Sequence, residues 1–328
     1  MEVVVRPIGR VISAEPGANL LDTLRKNDIP ISYSCMSGRC GICRCKVVEG
    51  EVLTANGELR QPFLNEDTHV LACQSTLTSG CAIEIPEPDE IVCCPAKILK
   101  AKVAEIRQET HDIRSLKVKA NKPLEYVPGQ YATLEFGPDL IRPYSMAGIM
   151  QDDLLEFHVR LVPGGRVSPY VFDTLKEGDS LRLSGPLGAS YLRRRHRGPM
   201  LLVAGGTGLA PALSLLRGAL AVGMDNPIHL YFGARTVNDL YCTDRLAALA
   251  AANPQVALHL VVSNGTTPAG IRSGLVTEAI EQDWQDLSAF RAYLCGAPAM
   301  VEAATLSVKR RGVSLSHIYA DAFYSTGY

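Results

Sequence analysis

The sequence predicts three modules on one chain: a small cysteine-bearing α+β domain, an antiparallel β-barrel, and an α/β domain with a parallel sheet. Three observations carry this. At about 150 residues per domain, a chain of 328 residues holds two domains or three small ones. Eight of its ten cysteines lie at or before position 94, six of them between Cys35 and Cys81. Alternating apolar runs over 96–195 then give way to short apolar strands separated by helical stretches.

The first module opens with a hairpin, VVVRP (3–7) and GRVISAEPG (9–17), turned at Pro16-Gly17. Asn19 caps a predicted helix with Leu20, Leu21 and Leu24 at helical spacing. The cysteine loop follows, then the strand CRCKVVEGEV, with a turn at Glu49-Gly50. Residues 85–95 hold three prolines and three acids and read as a linker. The runs AKVAEI, IRSLKVKA, YATLEF, LEFHVRLV and SLRLSG are separated by Gly and Pro turns, the signature of an antiparallel barrel. Beyond it, MLLVAGG, PIHLYFG, VALHLVVS and RAYLCG alternate with helical stretches, which implies parallel strands with crossovers. The predicted domains are 1–90, 96–196 and 197–328.

Composition narrows the function. With 33 Lys+Arg against 34 Asp+Glu, the net charge is −1, so no general affinity for nucleic acid or anionic membrane is expected. Charged residues at 20% and apolar residues at 47% exclude wholesale disorder. The N-terminus shows no signal-peptide pattern, which predicts a cytoplasmic protein with reduced thiols. The uncharged stretch from Pro199 to Leu216 contains three glycines and Pro211. A buried strand, a glycine turn and a helix explain it better than a membrane span.

In the loop CMSGRCGIC, Cys35, Cys40 and Cys43 are spaced x4 and x2, with Cys73 thirty residues further on. This is plant-type [2Fe–2S] spacing. Four thiolates must converge on two irons, and Gly38 and Gly41 permit a loop that aims backbone N–H groups at sulfur. A structural zinc site favours two close Cys pairs, and Cys73 has no near partner. A thioredoxin-like Cys40-x-x-Cys43 lacks its βαβ context. A Rieske centre needs Cys-x-His and Cys-x-x-His pairs, and neither occurs. Cys45, two residues past Cys43 at the start of a strand, is read as facing away from the ligands. With Cys81, Cys93, Cys94 and Cys242 it suits a buried inert thiol.

The barrel carries Arg142-Pro143-Tyr144-Ser145. Arg142 suits a diphosphate, Tyr144 a flat ring system, and Ser145 a ring nitrogen. The cluster Gly164-Gly165-Arg166-Val167-Ser168 precedes a predicted helix; it suits a pyrophosphate, although on local evidence alone an ordinary turn and cap is the favoured reading. Residues 201–211, LLVAGGTGLAP, read as strand, glycine turn and helix, where a dinucleotide phosphate meets a helix N-terminus. Pro211 stands where the dinucleotide fingerprint has its third glycine. Cys295-Gly296 ends another strand and is either a second site loop or a buried thiol.

Taken in this order, the motifs SYSCMSGRCGICRCKV, IRPYSMAG, VPGGRVS, GGTGLAP, RAYLCGAPAMVEA and HIYADAFY resemble the ferredoxin–flavin–nicotinamide reductases of bacterial ring-hydroxylating dioxygenases, over essentially the whole chain. The resemblance implies a plant-type ferredoxin β-grasp, an FAD-binding barrel and a nicotinamide-binding domain. It implies [2Fe–2S] ligation by Cys35, Cys40, Cys43 and Cys73. It implies an FAD site of Arg142, Tyr144, Ser145, His158, Arg160, Gly165 and Ser168. Gly206, Thr207, Gly208 and Pro211 would meet the NAD(P)H pyrophosphate, with Cys295 and Gly296 near the nicotinamide. Tyr144, Ser145 and Cys295 are the implied catalytic residues, and Phe323, beside Tyr324, is the candidate flavin-shielding aromatic.

NADH delivers two electrons as a hydride, an iron–sulfur acceptor takes one at a time, and a flavin converts between the two. Arg235 suits a 2′-phosphate, whereas Asp239 suits a ribose hydroxyl; the expectation is NADH preferred, NADPH tolerated. The implied acceptor is a Rieske-type ferredoxin, or the terminal oxygenase directly, served by a monomer. Over residues 1–90, eight Lys/Arg and thirteen Asp/Glu give a net of −5, yet Arg39, Arg44 and Lys46 flank the cluster loop. They suit a basic docking rim or a solvated surface equally. Alternative readings are a related reductase of a phenol or methane monooxygenase or a deoxysugar dehydratase, a flavin reductase releasing its product, and a non-catalytic iron–sulfur carrier.

Overall fold

The computed structural model describes all residues except 39–40, 63–64, 66–67, 87–90 and 325–328. Its chain contacts divide into two units, Met1–Ala96 with Pro186–Ala189, and Lys97–Gly185 with Ser190–Tyr328.

The first unit holds β1 (Glu2–Arg6), β2 (Arg10–Ser13), α1 (Leu20–Lys26), β3 (Arg44–Glu49), β4 (Val52–Thr54), β5 (Leu59–Arg60), β6 (His69–Leu71), β7 (Ser75–Leu77) and β8 (Cys81–Glu84). The main sheet runs β2-β1-β8-β3-β6, with β1 antiparallel to β2 and parallel to β8; β5-β4-β7 form a smaller sheet. Alternation along β1 sends Val3 and Val5 inward, where they join Leu20, Leu21 and Leu24 of α1. Asn19 caps that helix, its Oδ1 accepting from the Asp22 N–H at 3.1 Å. Its Nδ2 also donates to the Cys73 carbonyl at 3.1 Å, so the cap ties α1 to the turn carrying that cysteine. Part of the expected linker is structured: Val92 is buried, and Tyr33 donates to its carbonyl. Glu87 to Glu90, its acidic centre, lie outside the described residues.

The second unit opens with β9 (Lys97–Gln108), β10 (Ile113–Ala120), β11 (Tyr131–Glu135), β12 (Ile141–Ser145), β13 (Leu155–Arg160), α2 (Val167–Asp173) and β14 (Ser180–Leu187). The order β12-β11-β14-β9-β10-β13 is antiparallel in the pairs β11–β12, β14–β9, β9–β10 and β10–β13. A bridge between Met146 and Phe157 closes it into a barrel. There follow β15 (Met200–Gly205), α3 (Leu209–Ala221), β16 (Ile228–Ala234), α4 (Thr243–Ala252), β17 (Val256–Val262), β18 (Ile271–Ser273), α5 (Val276–Asp283), β19 (Arg291–Gly296), α6 (Pro298–Arg310) and β20 (Ile318–Ala322). The sheet β18-β17-β16-β15-β19-β20 is parallel throughout.

Burial explains the uncharged stretch from Pro199. β15 is central in its sheet, and α3 is buried on nearly every side. Ser214 of α3 accepts from the Gly129 N–H and donates to the Gly148 carbonyl of the barrel. Arg217 forks onto Asp152 at 2.6 and 2.7 Å. Burial would raise the Asp152 carboxyl, but the Arg217 fork and the Ile149 N–H outweigh it and hold it below the ordinary range. Among the described residues no helix is long and apolar enough to cross a membrane.

Candidate cofactor sites

The cysteine loop is shaped by left-handed residues: Met36, Gly38 and Gly41 have φ of +53°, +78° and +69°. The Cys43 carbonyl accepts from the Ala72 N–H at 2.9 Å, and its Sγ accepts from the Cys73 N–H at 3.5 Å. Two cysteines thirty residues apart are thereby brought together. The Cys35 Sγ accepts from the Ser37 N–H at 3.4 Å. Backbone N–H groups aimed at soft sulfur donors fit a cluster of this kind. Cys40, the remaining expected ligand, lies outside the described residues, as does Arg39. Arg44 and Lys46 are exposed along β3, whereas Cys45 alternates inward with Val47. Burial pushes the Cys45 thiol far up, with Cys43 and Cys81 adding to it, and pushes Cys81 to about 11. These two remain protonated core thiols.

In the second unit, β12 places Arg142 and Tyr144 two residues apart, both half-buried, so they share one face of the strand. Burial pushes the Tyr144 hydroxyl up, partly offset by Arg142. A planar ring with a neighbouring guanidinium fork suits a flavin and its diphosphate. Gly165 and Ser168 build their own turn: Gly165 donates to the Val162 carbonyl, and the Val162 N–H donates to the Ser168 Oγ. The His158 ring is buried against Tyr241 and Glu156. Arg160 donates through Nε to Asp112 at 2.7 Å. Its Nη1 lies 3.4 Å from where a Cβ on Gly206 would stand.

The ends of β15 and β19 interlock. Gly206 has φ +55°, and a Cβ on Gly208 would overlap the Cys295 carbonyl. Gly296, at φ +145°, would meet the Gly205 oxygen at 2.8 Å if it carried a Cβ. Thr207 is half-buried in the turn, and Pro211 is the third residue of α3, where its missing N–H costs nothing. The glycine turn and the helix start therefore leave backbone N–H groups for a phosphate. Cys295 is fully buried; burial raises its thiol well above the ordinary value, and Asp321 adds to this. Phe323 donates through its N–H to the Gly296 carbonyl at 2.8 Å and is half-buried, whereas Tyr324 is 68% exposed. Arg235 is exposed just past β16. Asp239 is taken up locally, its Oδ2 accepting from the Thr236 N–H and hydroxyl.

Sequence reasoning missed Asp321. It stands opposite Cys295 in the β19–β20 register, and its Oδ2 accepts from the Ser145 hydroxyl at 3.4 Å. The available signal was a lone acid inside the apolar run of HIYADAFY. Burial raises its carboxyl to about 6, against the lowering effect of Ser145. Its folded state holds the proton more tightly than the unfolded one, so the associated stability is full below about pH 4 and lost as pH rises through 6. Asp321→Asn should therefore stabilise flavin-depleted protein at pH 8 by on the order of 1–2 kcal/mol, discounted from the full shift because the residue is half-buried. At pH 4 it should give no gain. Melting curves at both values check this; an equal gain at the two pH values contradicts it.

Three family models cover the chain: a 2Fe-2S iron-sulfur cluster binding domain over 3–78, an oxidoreductase FAD-binding domain over 100–191, and an oxidoreductase NAD-binding domain over 202–305. The chain is 56% identical, over 100% of both lengths, to the Pseudomonas putida naphthalene 1,2-dioxygenase system ferredoxin–NAD(P)+ reductase component. It is 57% identical, again over 100% of both, to the Ralstonia sp. reductase component of naphthalene 1,2-dioxygenase/salicylate 5-hydroxylase systems. Among solved structures, the Amycolatopsis cytochrome P450 reductase GcoB matches with TM-score 0.74 and 34% identity over 98% of each chain. The ferredoxin reductase in carbazole 1,9a-dioxygenase matches with TM-score 0.67 and 29% identity over 98% of each. With iron–sulfur, FAD and NAD modules in this order, the chain belongs to the ferredoxin–NAD(P)+ reductase family of bacterial aromatic-ring dioxygenase systems.

Proposed function

We propose that this reductase carries electrons from NADH to a Rieske-type ferredoxin in a naphthalene- or salicylate-type dioxygenase system. The observation that supports this most is full-length identity of 56–57% to reductase components named for those systems. A bound flavin takes up a hydride and gives up electrons singly, which joins a nicotinamide donor to an iron–sulfur acceptor. In this reading the domains are 1–90, 96–196 and 197–328. Cys35, Cys40, Cys43 and Cys73 hold the cluster, and Arg142, Tyr144 and Ser145 hold the flavin. The Gly206–Gly208 turn takes the dinucleotide pyrophosphate. Cys295, Gly296 and Asp321 face the nicotinamide, and Phe323, anchored at Gly296, covers the flavin. The protein acts as a cytoplasmic monomer.

Arg235 stands without a second cation before Asp239, so the site is built for NADH. Stopped-flow reduction of a purified Rieske ferredoxin should show kcat/KM about tenfold higher with NADH than with NADPH, equivalent to the ~1.4 kcal/mol of one charged hydrogen bond. A clear NADPH preference overturns the donor assignment. Transfer to the terminal oxygenase alone overturns the ferredoxin.

A further inference from the structure

The carbonyl of Cys73 accepts from two side-chain amides. Cys73 lies in a one-turn helix, Ala72–Gln74, between β6 and β7. Its carbonyl oxygen accepts from the Asn19 Nδ2 and from the Gln74 Nε2, both at 3.1 Å. A carbonyl oxygen has two lone pairs, so these two donors fill it. Asn19 reaches it because the chain before α1 runs beside β7. The Leu77 N–H donates to the Ala18 carbonyl at 2.9 Å, and Asn19 forms a bridge with Thr76. The Oδ1 of the same asparagine caps α1, so both ends of its amide are fixed.

Gln74 reaches a further element. Gly38 of the cysteine loop, at φ +78°, faces the Gln74 side chain so closely that a Cβ there would stand 2.8 Å from its Cγ and 3.2 Å from its Cδ. Gly38 comes three residues after Cys35, in the loop that also carries Cys40. The stem of Gln74 therefore packs on that loop while its head holds the Cys73 carbonyl. We propose that Asn19 and Gln74 are positioning residues that clamp Cys73 against the cysteine loop and raise the reduction potential of the cluster held there. The inference rests on the reading that Cys73 is a cluster ligand.

Two effects follow from these contacts. The Cys73 N–H donates to the Cys43 Sγ at 3.5 Å, and its carbonyl is held by the two amides. Both peptide planes flanking Cys73 are thereby fixed, and with them the direction of its Cα–Cβ bond. The second effect is electrostatic. Reduction adds negative charge at the cluster, and a bare carbonyl beside it would oppose that charge. Each N–H donor offsets the carbonyl, so the amides favour the reduced state, and losing one lowers the potential. The backbone of the turn has anchors of its own. The Ala72 N–H donates to the Cys43 carbonyl, the Ala55 N–H to the Gln74 carbonyl, and the Ser75 hydroxyl to the Leu71 carbonyl. These bonds stay in place when a side-chain amide is removed.

Potentiometric titration of the full-length reductase, followed by the EPR signal of the reduced cluster, tests this. Gln74→Met keeps an unbranched stem against Gly38 and removes the donor. Asn19→Ser keeps a side chain that caps α1 and removes the other donor. Each should disfavour cluster reduction about threefold, toward the lower end of what one hydrogen bond is worth, which is ~30 mV for a one-electron couple. The double variant should disfavour it about tenfold. If Gln74→Met fails to hold a cluster, Asn19→Ser decides alone. An unchanged or raised potential in either single variant, with the EPR signal intact, overturns the clamp. Cys73→Ser tests the underlying reading separately. An undiminished EPR signal in that variant would show that Cys73 is not a ligand.

Discussion

Replacing Cys43 by serine should abolish the [2Fe–2S] absorption and slow ferredoxin reduction at least about 100-fold, the upper end of the cost of losing even an outer-shell partner of a metal. Cys43 is buried, and its Sγ accepts the Cys73 N–H, so a harder, shorter oxygen would replace a soft thiolate at the centre of the loop. The loss should stop there. The first unit has its own core of Val3, Val5, Leu20, Leu24, Val47 and Ile83, while the flavin and nicotinamide modules lie in the second. The variant should retain full flavin content and NADH-dependent ferricyanide reduction. Absorption spectra and a ferricyanide assay decide it, and parallel loss of FAD would show that the modules depend on one another.

Gly208→Ala should be the most damaging single methyl in the second unit. The added carbon would overlap the Cys295 carbonyl oxygen and carbon and crowd the Gly296 nitrogen. These are backbone atoms at the end of a central parallel strand, so no side chain can rotate away. Overpacking of this kind costs about 1–3 kcal/mol or more. Relief requires moving apart the two loops assigned to the dinucleotide, and a displacement of about 1 Å at such a site costs on the order of 100-fold in rate. The expected result is a lower Tm and a kcat/KM for NADH reduced by about that factor, with the cluster spectrum unchanged. Unaltered kinetics would show that the β15 and β19 loops do not act together.

Local chemistry was legible in the sequence because it depends on near neighbours. The x4 and x2 cysteine spacing, the Asn19 cap, the period-two runs of the barrel and the strand–glycine–helix at 201–211 each declare themselves within a dozen residues. Cys45 was not legible in this way: it stands two residues from Cys43, so strand parity places both on one face, and its burial beside Val47 shows only in the structure. Longer-range partners were not legible. The resemblance implies His158 as a flavin contact, but its Nδ1 partner Tyr241, 83 residues away, shows only in the structure. Asp239 reads as a ribose acceptor until its carboxylate is found capping Thr236. The GGRVS segment permits a phosphate loop or a turn, and its Ser168 oxygen is taken by the Val162 N–H.

The sequence by itself determined three modules and their order, and it nominated cysteines for the cluster and glycines for the nucleotide, since a pattern of residue types suffices for each. Only the tertiary structure decided that Ser145 meets Asp321 across 176 residues, that Asp321 lies opposite Cys295, and that Tyr241 stands between His158 and Gly206. Strand register and barrel closure set those meetings. Both arise from burying apolar faces over the whole chain, and neither leaves a local mark on the residues it brings together.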